Sequence, residues 1–155
     1  MVKVASKKQD NRRGIDHIGV TAVAVVHDGK GKILLQKRGP HARDERGHWD
    51  VVGGAVEFGE TIIETMQREL LEEIGAVPQE IKFLNFFDAH RHQNGQQTHW
   101  VAVVHTVLVE PNTITIREPH KIAEIGWFTA DSLPKPLHSQ FPKVHKLLVK
   151  HKILR

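Results

Sequence analysis

Between Gly54 and Ala76 the chain reads GAVEFGETIIETMQRELLEEIGA. Ile63, Met66, Leu70 and Ile74 return at three- and four-residue spacing, which on a helix places them along one side. The pattern predicts a helix from Thr61 to about Ile74, stopped by Gly75 and Pro78. A helix with a single apolar stripe is stable only against another layer, and the segments around it say what that layer is. Ahead of it, HIGVTAVAVVHDGKGKILLQKRG carries two apolar runs about the Gly-rich turn DGKGK and predicts a β-hairpin, with strands near 17–27 and 32–38. RGPHARDERGH at 38–48 reads as a loop, and WDVV at 49–52 as a short strand. Behind the helix, IKFLNFFDAHR and THWVAVVHTVLV flank QNGQ, whose Asn-Gly pair is a strong hairpin signal. IAEIGWFT at 122–129 adds a strand. FPKVHKLLVKHKIL predicts a closing helix, with Pro142 at its first position and Val144, Leu147, Leu148 and Ile153 on a partly apolar face. This order implies an α/β (α+β) fold, a mixed sheet between two helices, in place of regular βαβ winding.

The length of 155 residues suits one domain, and no internal repeat or linker divides it. Residues 1–14, MVKVASKKQDNRRG, are expected to form a basic, disordered or loosely attached lead to a single domain at 15–155; they lack the apolar core of a secretory signal. No apolar run approaches the length of a membrane span, about eighteen residues. The absence of Cys excludes disulfides and thiolate chemistry. A cytoplasmic protein without a membrane partner is the expectation.

The opening stretch also holds the chain's negative charge. Its six Glu against the single Arg68 make it −5, which leaves +9 elsewhere in a protein whose net charge is +4. An acidic focus in a basic shell suits an anionic ligand that meets protein cations at its edges and metal cations at its centre. On the predicted helix, Glu69, Glu72 and Glu73 fall within roughly a 100° arc bordering the apolar stripe. Like charges so spaced destabilise a helix by a few tenths of a kcal/mol per pair. A divalent cation compensates, and an all-oxygen donor set selects Mg²⁺, with Mn²⁺ as a substitute. The alternative is a solvated acidic face on which Arg68 bridges to Glu64 or Glu72.

The complete pattern decides between them. Gly54, five residues, Glu60, seven residues, then Arg68-Glu69-Leu70, one residue, Glu72-Glu73, one residue and Gly75 resembles the Nudix box of the Nudix hydrolase superfamily at every fixed position. Ala76 stands where a larger aliphatic is usual. The lead-in WDVVGG is also similar to the family's, with Val52 in a Pro position. The resemblance runs from about Ile18 to Phe128 and implies a Nudix-type α/β/α sandwich. It implies metal ligation by Glu69, Glu72 and Glu73 with the carbonyl of Gly53, orientation of the carboxylates by Arg68, and support from Glu60. The implied reaction is hydrolysis of a nucleoside diphosphate linked to another group. Glu72 or Glu73 is the proton acceptor nearest to hand, while relatives that use a later Glu direct attention to Glu118 and Glu124, between which the sequence does not choose. Gly54 is placed against substrate, Arg38 matches a phosphate-contacting position, and Phe87 is a candidate to stack on a base, as are Phe86, Trp49, Trp100 and Trp127. His90 and His92 have neither zinc spacing nor Cys company.

Absences narrow the substrate. There is no Tyr, no Pro between Pro78 and Pro111, and no Cys, which removes features of dinucleoside polyphosphate hydrolases, many ADP-ribose hydrolases and isopentenyl diphosphate isomerases. THWVAVVHTVLV and EPHKIAEIGWF with DSLPKPL are similar to the MutT-type triphosphate branch. The expectation is a Mg²⁺-dependent enzyme converting a canonical or modified (d)NTP to NMP and pyrophosphate, a monomer or homodimer with no stable nucleic-acid partner. The rivals are an ADP-ribose or nucleotide-sugar pyrophosphatase and a non-catalytic nucleotide-sensing or RNA-binding Nudix module.

Overall fold

The computed structural model describes residues 11–155. Residues 1–10 of the basic lead lie outside the described residues. Its last residues are built into the domain: Arg13 donates to the Val56 carbonyl at 3.0 Å, and Gly14 lies against the Trp100 indole.

Among the described residues seven strands and two α-helices succeed one another in the expected order, with one strand more than expected. β1 is Gly19–His27, β2 Ile33–Arg38, β3 Trp49–Asp50, β4 Val52–Ala55, β5 Glu80–Gln93, β6 Gln96–Leu108 and β7 Ile122–Phe128. α1 is Ile62–Ile74 and α2 is Phe141–Lys150. The sheet runs β3-β2-β1-β6-β5, with β4 on β1 and β7 on β2. It is mixed: β1 is parallel to β6 along its whole length and antiparallel to β4.

The N-terminal hairpin differs from expectation. β1 and β2 share one registered pair, His27 with Ile33, and then part. Beyond it β1 takes β4 and β6 as neighbours while β2 takes β3 and β7. The expected single strand at 49–52 is likewise two, broken at Val51, so that Trp49 and Asp50 pair with β2 and Val52 to Ala55 pair with β1. The second hairpin is as read: Asn94 and Gly95 have φ of 48° and 75°, the doubly left-handed turn that Asn-Gly favours.

Strand alternation separates two cores. Ala22, Ala24, Val26 and Leu34 face α1 with Met66, Leu70 and Ile74. Val25, Ile33 and Leu35 face the other way, onto Phe141, Val144 and Leu148 of α2. Leu147 only borders that second core, and Ile153 lies beyond the end of α2.

α1 is defined at both ends. The Thr61 side chain accepts from the Glu64 backbone N–H, and the Glu64 carboxylate accepts from the Thr61 N–H, a reciprocal capping box. At the far end the Gly75 and Ala76 N–H groups close onto Leu71 and Leu70, each at 3.1 Å. Thr61→Ala should cost about 1 kcal/mol, measured by denaturant titration, an unchanged midpoint counting against the cap.

Candidate active site

Where the β1 and β2 branches of the sheet part, the surface opens into a cleft of about 630 Å³. Glu69, Glu72 and Glu73 project into it from α1, Gly53 and Gly54 border them from β4, and Phe87, Arg91 and Trp100 line the other side from the β5–β6 hairpin. Glu60, Glu118 and Glu124 are outside the lining.

The three helix carboxylates are graded in burial because they border the α1 stripe: Glu73 is 8% exposed, while the Glu72 side chain is 50% exposed. Burial, then the neighbouring Glu69 charge, pushes the Glu73 carboxyl up to about 8. Burial also raises Glu69, against the pull of Arg68. One donor reaches Glu73 from the sheet: Gln36 Nε2, at 3.1 Å.

Arg68 is the cation of this cluster. Its Nε and Nη2 donate to the two Glu60 oxygens at 2.7 and 3.0 Å, and its Nη1 donates to Glu69 at 3.0 Å and to Glu72 at 3.4 Å. This fork, together with the Thr65 hydroxyl, holds Glu60 down to about 2. Glu60 therefore anchors Arg68 from behind while Arg68 steers two cleft carboxylates.

Gly54 lies directly over Glu69. A Cβ on Gly54 would stand 2.2 Å from Glu69 Oε1, so only glycine lets the carboxylate tuck beneath the β4 backbone. Oxygen donors alone, two with raised pKa and one beneath a glycine cradle, fit a hard divalent cation. Among the described residues, however, the one trio whose ligand atoms all lie within 4.8 Å of one another is Asp44, Glu45 and His138. That compactness has another cause. Arg91 bonds both Asp44 and Glu45, and Arg38 bonds Asp44 at 2.7 Å, so these acids are already neutralised. The Gln140 N–H donates to His138 Nδ1 at 3.2 Å, which leaves the ring proton on Nε2, 2.8 Å from Glu45. This is an ion-paired wall fastening the 38–48 loop to β5 and the segment before α2. On α1 the balance differs: Glu69 and Glu72 share the single Arg68 with Glu60, and Glu73 has only the neutral Gln36, so negative charge is left over to hold a cation.

Arg38 thus lines the cleft but is engaged with Asp44. Glu118 pairs with Lys121 at 2.9 Å and stands near enough to Glu73 to raise its pKa, whereas Glu124 pairs with Lys37 on the exposed surface. Of the aromatic candidates, Phe87 and Trp100 line the cleft; Trp49 packs edge-on against Phe128 and Trp127 borders the α1 core. Gln36, Arg91, Lys121 and His138 escaped the sequence reading. Only Gln36 carried a signal, as the polar break in the apolar run ILLQKR on the α1-facing side of β2.

The fold and site together are a mixed sheet between two helices with a carboxylate-bearing helix at a cleft. Residues 17–148 match the NUDIX domain family, and the chain belongs to it. The fold superposes on a MutT NUDIX hydrolase from Burkholderia pseudomallei with a TM-score of 0.76 at 30% identity, covering 85% of this chain and 98% of that one. The NUDIX domain of Shewanella oneidensis NrtR, solved with ADP ribose, is similar in fold, with a TM-score of 0.71 at 22% identity over 98% of this chain and 99% of that one. Among curated relatives, an Escherichia coli CTP pyrophosphohydrolase is 41% identical over 36% of this chain and 41% of its own length. A Danio rerio oxidized purine nucleoside triphosphate hydrolase is 45% identical over 36% of this chain and 33% of its own. The chain spans well under two thirds of the length of the curated relatives it matches. No helix among the described residues is long and apolar enough to cross a membrane.

Proposed function

We propose that the protein is a Mg²⁺-dependent pyrophosphohydrolase that converts a nucleoside triphosphate, canonical or modified, to the monophosphate and pyrophosphate. The observation that carries this reading is the set of Glu69, Glu72 and Glu73 at one end of the cleft, steered by an Arg68 that Glu60 anchors from behind. Glu69, Glu72 and Glu73, with the Gly53 carbonyl, would hold the cation. When bound, it supplies neutralisation of phosphate charge and acidification of water.

The protein's own groups do the rest. Arg68 keeps Glu69 and Glu72 turned toward the cleft. A carboxylate not saturated by the cation receives the proton of the attacking water; Glu72 is the most accessible of the three, and Glu118, near Glu73, is closer to the cluster than Glu124. Arg91 and Lys121 line the walls, but each is paired, Arg91 with Asp44 and Glu45 and Lys121 with Glu118, so the positive charge that meets an anionic substrate comes mainly from the bound cation. Phe87 and Trp100 line the hairpin side of the cleft, with Lys143 over the Phe87 ring and Gly14 and Gly19 against the Trp100 indole, and a base would stack on the ring surface that these contacts leave open. The named activities of the two curated relatives above favour a nucleotide triphosphate.

The test is a panel of canonical and oxidised (d)NTPs and (d)NDPs, ADP-ribose, nucleotide sugars and dinucleoside polyphosphates, each with and without Mg²⁺, with phosphate and pyrophosphate resolved. Metal-dependent pyrophosphate release from a triphosphate is expected. Cleavage of ADP-ribose alone, to AMP, would replace the substrate assignment, and nucleotide binding without turnover would make the protein a sensor.

A further inference from the structure

Gln36 occupies an unusual position. β2 is buried on both faces, with Ile33 and Leu35 toward α2 and Leu34 toward α1. By strand alternation Gln36 follows Leu34 on the α1 side, and it is 7% exposed where an aliphatic residue would extend the core. Its Nε2 donates to Glu73 Oε2 at 3.1 Å. Among the described residues no hydrogen-bond donor reaches its buried Oε1, although the side chain lines the cleft. A reversed amide would set Oε1 against a carboxylate oxygen, so the donor orientation is the one compatible with an ionised Glu73. Buried polar atoms are ordinarily paired, and a lone acceptor at the wall of a site marks a place where a donor arrives with the ligand.

We propose that Gln36 is a positioning residue for the cation site: its Nε2 holds back Glu73 Oε2 and turns Oε1 of that carboxylate toward the cleft, while its own Oε1 receives a water proton once the site is loaded. The inference rests on the hydrolase reading above. It differs from a packing role because the substitution removes an unpaired acceptor together with the donor to Glu73, two opposed effects on the fold that leave the larger loss at the site. Gln36→Met keeps the length and volume of the side chain and removes both polar atoms. Gln36→Leu is the second variant should the first fold poorly.

The experiment is calorimetric titration of Mn²⁺ into the full-length protein, with melting temperature measured without metal and steady-state kinetics on the best nucleotide of the panel. Gln36→Met should bind Mn²⁺ about 10-fold more weakly, the lower end of what removal of such a partner costs. It should lose kcat by a similar factor with KM within about twofold of wild type, and melt close to the wild-type temperature, since the lost bond to Glu73 is offset by removal of the unpaired acceptor. Wild-type Mn²⁺ affinity and kcat in the variant would overturn the proposal, as would a melting temperature that falls in step with activity in both variants. If wild type itself bound no Mn²⁺ and cleaved nothing, the hydrolase reading would fail first, and that failure is visible before any variant is made.

Discussion

Glu73→Gln should lower turnover by about 10²–10⁴-fold, the scale of a lost charged group at a reacting centre, while making the metal-free protein more stable in alkaline solution. The two effects share a cause. Glu73 is nearly buried beside Glu69, and its carboxyl is pushed up to about 8 from an ordinary 4.5. Below pH 4.5 folded and unfolded chains both hold the proton, and Glu73 carries no charge penalty. As pH rises from there to about 8 the unfolded chain ionises while the folded one resists, so the folded state, which binds more protons, loses stability across that window. Glutamine removes the penalty without changing shape. The variant should therefore gain on the order of a few kcal/mol at pH 8. The gap should shrink toward pH 5, and millimolar Mg²⁺ should narrow it at pH 8 by stabilising the ionised wild type. Thermal melts at the two pH values, with and without Mg²⁺, read this directly; near-normal turnover, or a gap independent of pH, would remove Glu73 from the site.

A second large effect is expected from one methyl group. Gly54→Ala places a carbon 2.2 Å from Glu69 Oε1 and 2.3 Å from its Cδ, so the carboxylate must swing away. The obstacle is the end of a flexible side chain, and the fold should survive within a few tenths of a kcal/mol to about 1 kcal/mol, as for surface changes. The site should not: displacing one ligand by an ångström is enough to cost about 10²-fold in rate. Turnover and Mn²⁺ titration on the variant, with a melting curve as control, test this. Retained Mn²⁺ affinity would mean that Glu69 is not a ligand.

The sequence disclosed local periodicity and motif spacing, and little that depends on how strands choose partners. The ends of α1 were legible because Thr61 and Gly75 act locally, whereas Glu64, read as an alternative partner for Arg68, instead closes the cap on Thr61. The Asn-Gly hairpin was legible for the same reason. The β1–β2 hairpin is shorter than the pattern predicts: DGKGK makes the turn, but the edge of β1 that faces β2 is taken from Thr21 to Ala24 by β4, while β2 pairs with β3 and β7. The carboxylate trio was legible as a cluster, while its grading from buried Glu73 to exposed Glu72 follows from the angle at which α1 meets the sheet. Arg38 looked free for phosphate because Asp44, in a loop without periodic pattern, gave no sign of closing on it. Arg91 and His138 come from elements far apart in the chain, and only their meeting at Glu45 makes them part of one wall.

The pairing of β1 with β6 sets an order of assembly. Gly19 finds Trp100 and His27 finds Leu108, so the central strand cannot complete its neighbours until the ribosome has released residues well past the carboxylate helix. Such remote pairings slow the search for the native state. During synthesis α1 emerges with its acidic face before the hairpin that walls the cleft exists, and before Lys121 is made. The nascent chain can therefore carry Glu69, Glu72 and Glu73 as a plain charged helix, and the cleft they face is completed only when β6 pairs with β1.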